Sequence, residues 1–246
     1  MIDTLWLVGI GTGSPAHVTV QGMAAIRDAE VILVPHKGAG KDDLADLRHG
    51  IIAASGSKAK VIGFDYPRRD PNLPYRKRVA LWHDEIAKRW QEALSQVSDK
   101  GSAALLVWGD PSLYDSTLRI AQHLKPLPSI RVVPGITAIQ ALTAAHAIPL
   151  NAVNGPVLIT TGRQLRDNGW PDGAERVVVM LDGEASFQDL VQQGLYIWWG
   201  AFLGMPEEIV DQGPVAEVAT RIIEKRANAR ARHGWIMDTY LLSTGM

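Results

Sequence analysis

Apolar residues along this chain follow two alternating rhythms. Short, mainly apolar runs at residues 4–10, 29–34, 59–64, 103–107 and 130–133 have strand length, and their lack of strict alternation predicts a parallel sheet covered on both faces. Between the runs, apolar residues recur at helical spacing. Thr19 is placed to cap a helix carrying Met23 and Ile26, and Asp42 or Asp43 to cap a second. Val79, Trp82, Ile86, Trp90, Ala93 and Val97 mark the apolar stripe of one long helix from 75 to 97. Trp82 and Trp90 are expected in the core, with His83 a structural or rim histidine. Leu118, Ala121 and Leu124 form a shorter stripe opened by Asp115 and Ser116. Five strand–helix units in succession predict a mostly parallel sheet with helices on both faces.

A turn-rich stretch, residues 151–156, reads as a linker, which sets expected domains at 1–153 and 154–246. Beyond it, runs at 157–163, 176–181 and 195–199 predict further strands. Residues 221–232 are strongly basic and read as a solvated helix face, and 235–242 reads as a closing strand. Trp198, Trp199 and Trp235 are more aromatic surface than a modest second domain obviously buries, so they are candidates for a subunit or domain contact.

Composition narrows the classes. At 246 residues and 46% hydrophobic content the chain can bury a large core, and it holds no apolar run near the ~20 residues that cross a membrane. Its first residues carry no basic segment ahead of the first strand, so no signal peptide is expected and a cytoplasmic location follows. The absence of cysteine excludes disulfides and thiolate chemistry, and no metal is expected. A net charge of −1 argues against a general nucleic-acid binder.

Three predicted strands end in glycine-bearing turns: Gly9-Ile10-Gly11-Thr12-Gly13, Trp108-Gly109-Asp110-Pro111, and Pro134-Gly135-Ile136-Thr137. Loops at the carboxyl ends of parallel strands are where open α/β sheets bind ligands. Taken alone, Gly-Asp-Pro is also an ordinary turn. The first motif lacks the third glycine of a dinucleotide fingerprint, and Pro35 and His36 stand where an acidic residue would close strand two. Cations gather beside two other strand ends: Lys37 and Lys41 after the second strand, Arg68, Arg69, Arg76 and Arg78 after the third. Solubility explains some of them. The clustering suits a ligand with several carboxylates, which arginine grips bidentately.

In this order and spacing, the three turns resemble those of the tetrapyrrole methylases, S-adenosylmethionine-dependent enzymes that methylate porphyrin and corrin precursors. The helix that follows the third turn ends near Pro149-Leu150, as in that family. The resemblance covers nearly the whole chain and implies a two-domain α/β fold, the class III methyltransferase arrangement. It has a mostly parallel N-terminal sheet and a mixed C-terminal sheet. Carried over, it places S-adenosylmethionine in a cleft between the domains. It assigns to that cofactor Thr12, Trp108, Gly109, Asp110, Leu113, Thr137, Ala138, Met180 at a strand end, and Gly200 and Ala201 in the next loop. Residues 198–204 depart from the general pattern, and Thr12 stands where the wider family has proline. The tetrapyrrole would meet Gly11, Lys37, Lys41, Arg68, Arg69 and Arg76. Family members are homodimers, and neither nucleic acid nor membrane is implied as a partner.

Three further runs, residues 37–48, 65–83 and 196–204, resemble the branch of the family that methylates a corrin precursor at carbon 1 and releases acetate. Acetate release benefits from a base. Asp65 is the first candidate and His36 the second, although either could simply cap a loop or bind a carboxylate. Another precorrin or a uroporphyrinogen methyltransferase would share every general motif, and a tetrapyrrole- or S-adenosylmethionine-binding module without turnover is the non-enzyme alternative.

Overall fold

The structure, a computed structural model, describes residues 2–36, 42–95 and 101–245. Contacts divide the chain into two units, 1–136 and 137–246. The division falls earlier than the expected boundary at 153/154.

In the first unit, β1 (Thr4–Gly9), β2 (Val31–His36), β3 (Lys60–Asp65), β4 (Ser102–Val107) and β5 (Ser129–Val133) form one parallel sheet in the order β3-β2-β4-β1-β5. Alternate residues of the central strands feed two cores. Leu5, Leu7, Leu33 and Leu105 face Ile86 and Trp90 of α3 (Tyr75–Leu94) and Ile120 of α4 (Thr117–Ala121). Val8, Ile10, Ile32 and Leu106 face Ile26 of α1 (Val20–Asp28) and Ile51 of α2 (Asp42–Ala54). Two-sided burial is why these strands are apolar without alternation. Thr19 caps α1 by accepting from the Gly22 amide at 2.9 Å. His83 is buried, and Trp90 is wholly so.

The second unit opens with α5 (Ala138–Ala145), capped by Thr137 and Gln140 in a reciprocal box. α5 packs on the second sheet, which is why it belongs to this unit and not to the first. That sheet joins β6 (Leu158–Thr161), β7 (Arg176–Met180), β8 (Tyr196–Ala201), β9 (Ile209–Pro214) and β10 (Asp238–Ser243) in the order β6-β7-β10-β8-β9. Only β6 and β7 run parallel, so the sheet is mixed. α6 (Gly162–Asn168) and α7 (Val215–His233) complete the unit.

Two expectations are corrected here. Trp198, Trp199 and Trp235 offer no surface to a partner, being 7%, 0% and 9% exposed. The Trp199 indole donates to Asp238 at 2.9 Å, and Trp235 packs edge-on against Phe202. The basic run on α7 is only partly solvated. Arg221 and Lys225 both pair with the buried Asp211, and Arg226 forms an ion pair with Asp238 whose side chains are 12% and 5% exposed.

Candidate active site

Because β1 lies between β4 and β5, its glycine turn meets the other two at the carboxyl edge of the first sheet. The meeting is backbone to backbone. A Cβ on Gly135 would lie 2.1 Å from the Gly109 carbonyl oxygen and 2.8 Å from Gly9 Cα, and a Cβ on Gly9 would lie 2.6 Å from the Gly135 nitrogen. Gly11 and Gly109 exchange amide hydrogen bonds at 3.3 and 2.8 Å, with φ of 75° and 65°, where only glycine is unstrained. Asp110 locks the junction. Its Oδ2 accepts from the Gly135 amide at 2.9 Å and its Oδ1 from the Ser112 amide at 2.8 Å. Partial burial opposes ionisation, but the Ser112 hydroxyl and these two amides outweigh it and hold the carboxyl below its ordinary value.

Asp110 thus faces the protein, Gly109 and Pro111 are buried, and the loop presents the half-buried Trp108 and Leu113 with the exposed Ser112 and Tyr114. Residues 108–116 and 134–138 contain no lysine or arginine. An edge without cations and with apolar side chains suits a ligand that is itself cationic and has no phosphate. Thr12 is 5% exposed, with its hydroxyl 3.3 Å from His17 Nδ1, and Gly11 is packed against the His17 Cβ. Tyr114, 43% exposed, adopts φ 48° in the same loop, a conformation rare outside glycine and common at ligand-holding turns.

The ends of β2 and β3 bring the two candidate bases together. His36 and Asp65 are register partners, and His36 Nδ1 lies 3.7 Å from Asp65 Oδ1 with both side chains exposed. The imidazole rests on Gly63, where a Cβ would lie 2.1 Å from its Cε1 and Nε2. The polar loop after β3 is packed against α3 and not loose. Tyr66 stacks on Trp82, the Trp82 indole donates to the Pro67 carbonyl at 2.8 Å, and Arg89 donates to the Asp65 carbonyl at 2.6 Å. Burial pushes the Tyr66 phenol up to about 12. Arg69 lies 3.9 Å above the Trp82 ring, so its guanidinium already has an aromatic seat, while Arg68 and Arg76 are exposed. Lys37 and Lys41 lie outside the described residues.

In the second unit, the cap hydrogen bonds of α5 occupy Thr137, and Ala138 opens that helix. Met180 closes β7 half-buried, followed by Leu181, 66% exposed at φ 53°. Gly200 and Ala201 are not loop residues. They are buried in β8 and paired on both sides, with Val210 and Ile209 on β9 and with Thr239 and Asp238 on β10. The loop begins at Phe202, φ 51°. The first turn after β7 is held by Asp182, which accepts from the Tyr240 hydroxyl at 2.6 Å and from the Ser186 amide at 2.6 Å.

One residue of consequence stands outside the glycine turns and the cation clusters. Arg48 is 6% exposed on α2, and its Nε donates to the Leu106 carbonyl at 3.2 Å, beneath the Gly-Asp-Pro loop. Its signal was present in the pattern: Leu44, Arg48, Ile51 and Ile52 share one helical stripe, so a cation occupies an apolar position. Among the described residues no group of His, Asp and Glu could hold a metal ion.

Residues 4–219 match the sequence pattern of the tetrapyrrole (corrin/porphyrin) methylases. A precorrin-6A synthase (deacetylating) of Sinorhizobium sp is 46% identical over 97% of this chain and 94% of its own. A crystal structure of a cobalamin-synthesis-related protein from Corynebacterium diphtheriae superposes with a TM-score of 0.85 at 39% identity, covering 99% of each chain. The uroporphyrin-III C-methyltransferase of Thermus thermophilus, solved with S-adenosyl homocysteine, shares the fold at 16% identity, with a TM-score of 0.60 over 98% of this chain and 97% of that one. The chain belongs to the tetrapyrrole (corrin/porphyrin) methylases.

Proposed function

We propose that this protein is a precorrin-6A synthase (deacetylating), an S-adenosylmethionine-dependent methyltransferase of cobalamin biosynthesis that methylates precorrin-5 at carbon 1 and releases acetate. The observation that carries the reading is the near full-length likeness to the Sinorhizobium enzyme, joined to an intact three-glycine junction at the sheet edge.

S-adenosylmethionine supplies the methyl group on a positively charged sulfur. The first unit's residues assigned to it are Thr12, Trp108, Gly109, Asp110 and Leu113. Asp110 acts by fixing the loop, and the others by backbone and apolar contact. Thr137, Ala138, Met180, Gly200 and Ala201 are assigned to it on the resemblance, with Gly200 and Ala201 restricted to backbone contacts by their burial. The ring carbon that takes the methyl must be presented in line, and methyl transfer to it needs positioning and exclusion of water more than a base.

Acetate release has a proton to move. Water adds to the acetyl carbonyl at carbon 1 while a base takes its proton. The bond to carbon 1 then breaks, acetic acid leaves, and the electron pair stays on the ring for the methylation. Asp65 is the assigned base, with His36 beside it at 3.7 Å to orient it or to replace it. Arg68, Arg69 and Arg76, with Lys37 and Lys41, are assigned to the peripheral carboxylates. A homodimer is the proposed assembly, formed by surfaces other than the three buried tryptophans.

The test is incubation with precorrin-5 and methyl-labelled S-adenosylmethionine, read by mass spectrometry. A product that gains the methyl and loses the acetyl carbons, with free acetate, is expected. Gain of methyl alone points to another precorrin or uroporphyrinogen methyltransferase, and binding without turnover to a ligand-binding module. In single turnover with enzyme in excess, Asp65→Asn should slow acetate release at least ~100-fold, the lower end for a lost general base. A wild-type rate there would move the role to His36.

A further inference from the structure

Among the described residues, Arg48 is a buried charge with no carboxylate in direct contact. Its Nε and Nη1 donate to two neutral acceptors, the Leu106 carbonyl at 3.2 Å and the Leu44 carbonyl at 3.0 Å. Among the described residues no carboxylate forms an ion pair with it. Asp115, whose charge acts on it, spends Oδ1 on the Thr117 amide at 2.6 Å. Tyr66 and Asp115 act on the guanidinium electrostatically without bonding it, so its desolvation is only partly compensated, and a ligand carboxylate would complete the pair. Among the described residues no acceptor is bonded to Nη2 of the fork, and this nitrogen is not among the fully buried, unpartnered atoms. Leu106 is the penultimate residue of β4, so the guanidinium stands at the strand end that carries the Gly-Asp-Pro loop.

We infer that Arg48 is the receptor for a ligand carboxylate at the carboxyl edge of the first sheet. The inference rests on the proposed function for its ligands, both of which carry carboxylates: the aminoacyl end of the cofactor and the acetate and propionate arms of the tetrapyrrole. It is distinct from the exposed arginines after β3, because a buried, pre-placed fork discriminates by geometry while flexible surface cations attract by charge.

The experiment compares wild type, Arg48→Met and Arg48→Lys in the whole chain by calorimetry. Three probes are used: S-adenosylhomocysteine, methylthioadenosine (which keeps the nucleoside and thioether but lacks the carboxylate), and precorrin-5. Arg48→Met should weaken one carboxylate-bearing probe roughly 10- to 150-fold, the range of a charge-assisted hydrogen bond. It should leave methylthioadenosine within about two-fold. Loss confined to S-adenosylhomocysteine assigns the cofactor's carboxylate, and loss confined to precorrin-5 assigns the tetrapyrrole's. Arg48→Lys, which keeps the charge without the fork, should show a smaller loss on the same probe, and it decides alone should Arg48→Met fail to fold. Equal loss on all three probes, or on none, overturns the inference and leaves Arg48 a brace between α2 and β4. Failure of the proposed function shows separately, as wild-type protein that does not turn over precorrin-5, and the two nucleoside probes still decide the role of Arg48.

Discussion

At the carboxyl edge of the first sheet, Gly9, Gly109 and Gly135 touch through their backbones, and one carboxylate, Asp110, ties the turns together. In the second sheet, side chains hold the strand ends. Arg226 bonds both oxygens of Asp238 and reaches the Asp182 carbonyl at 2.6 Å, while Asp182 takes the Tyr240 hydroxyl and Asp238 takes the Trp199 indole. The first device leaves little side-chain freedom to lose. The second buries charge and needs every partner present. An edge made of backbone can tolerate change in the residues around it but not a single methyl within it. A network of buried ions can tolerate no missing member.

Arg226→Met is the strongest way to break the second device. It strands Asp238 as a buried charge and should cost about 3–5 kcal/mol, visible as a large fall in denaturant midpoint. Unchanged stability would mean that the network is ornamental. Gly135→Ala attacks the first device. Its methyl would meet backbone atoms that cannot step aside, so we expect a loss toward the upper end of the ~1–3 kcal/mol range for overpacking and no measurable S-adenosylhomocysteine binding in calorimetry. Native affinity in that variant would remove the junction from the site.

Asp211→Asn tests the second unit through pH. The hydrogen bond from Arg221, with Lys225 adding to it, holds the Asp211 carboxyl well below the usual carboxylate range although burial opposes this. A depressed folded value means the stabilisation is present above the ordinary carboxylate pKa of ~4 and is lost as pH falls through the depressed one. The wild type should therefore lose stability steadily below about pH 4. The variant should be about 2 kcal/mol less stable at neutral pH, the scale of a charge-assisted hydrogen bond, with a flatter acid limb. Parallel acid limbs would deny Asp211 this role. The smallest effect is expected from Thr137→Ala, about 1 kcal/mol for a lost N-cap, read as a shift in denaturant midpoint with an unchanged slope.

The first unit was the more legible because its evidence is local. The central parallel strands announce themselves as apolar runs without alternation, and a glycine needed for close approach is visible as a letter. The second unit follows rules that join distant positions: Asp211 with Arg221 and Lys225, or Tyr240 with Asp182, have no spacing that predicts them. For the same reason the basic run on α7 read as solvated, when Arg226 is turned inward. Trp198 and Trp199 suggested a surface because their count was weighed without the sheet that covers them. At the candidate site the glycine turns and the placing of His36 and Asp65 at strand ends were readable, but not that the two are register partners. The seat of His36 on Gly63, the strained backbone at Tyr114, Leu181 and Phe202, and the clasp of Trp82 on the loop after β3 arise only from tertiary contact.

The strand order of the second sheet has a consequence for how the protein is made. β10 follows all the other strands in the chain, yet it lies between β7 and β8, hydrogen-bonded to both. During synthesis the first five strands can assemble as soon as residue 133 has emerged. β7 and β8 must wait with open edges for residues 238–243, several seconds later at ~5–20 residues per second. Throughout that interval the nascent chain carries a finished sheet and an unfinished one, with the β10-facing edges of β7 and β8 still unpaired.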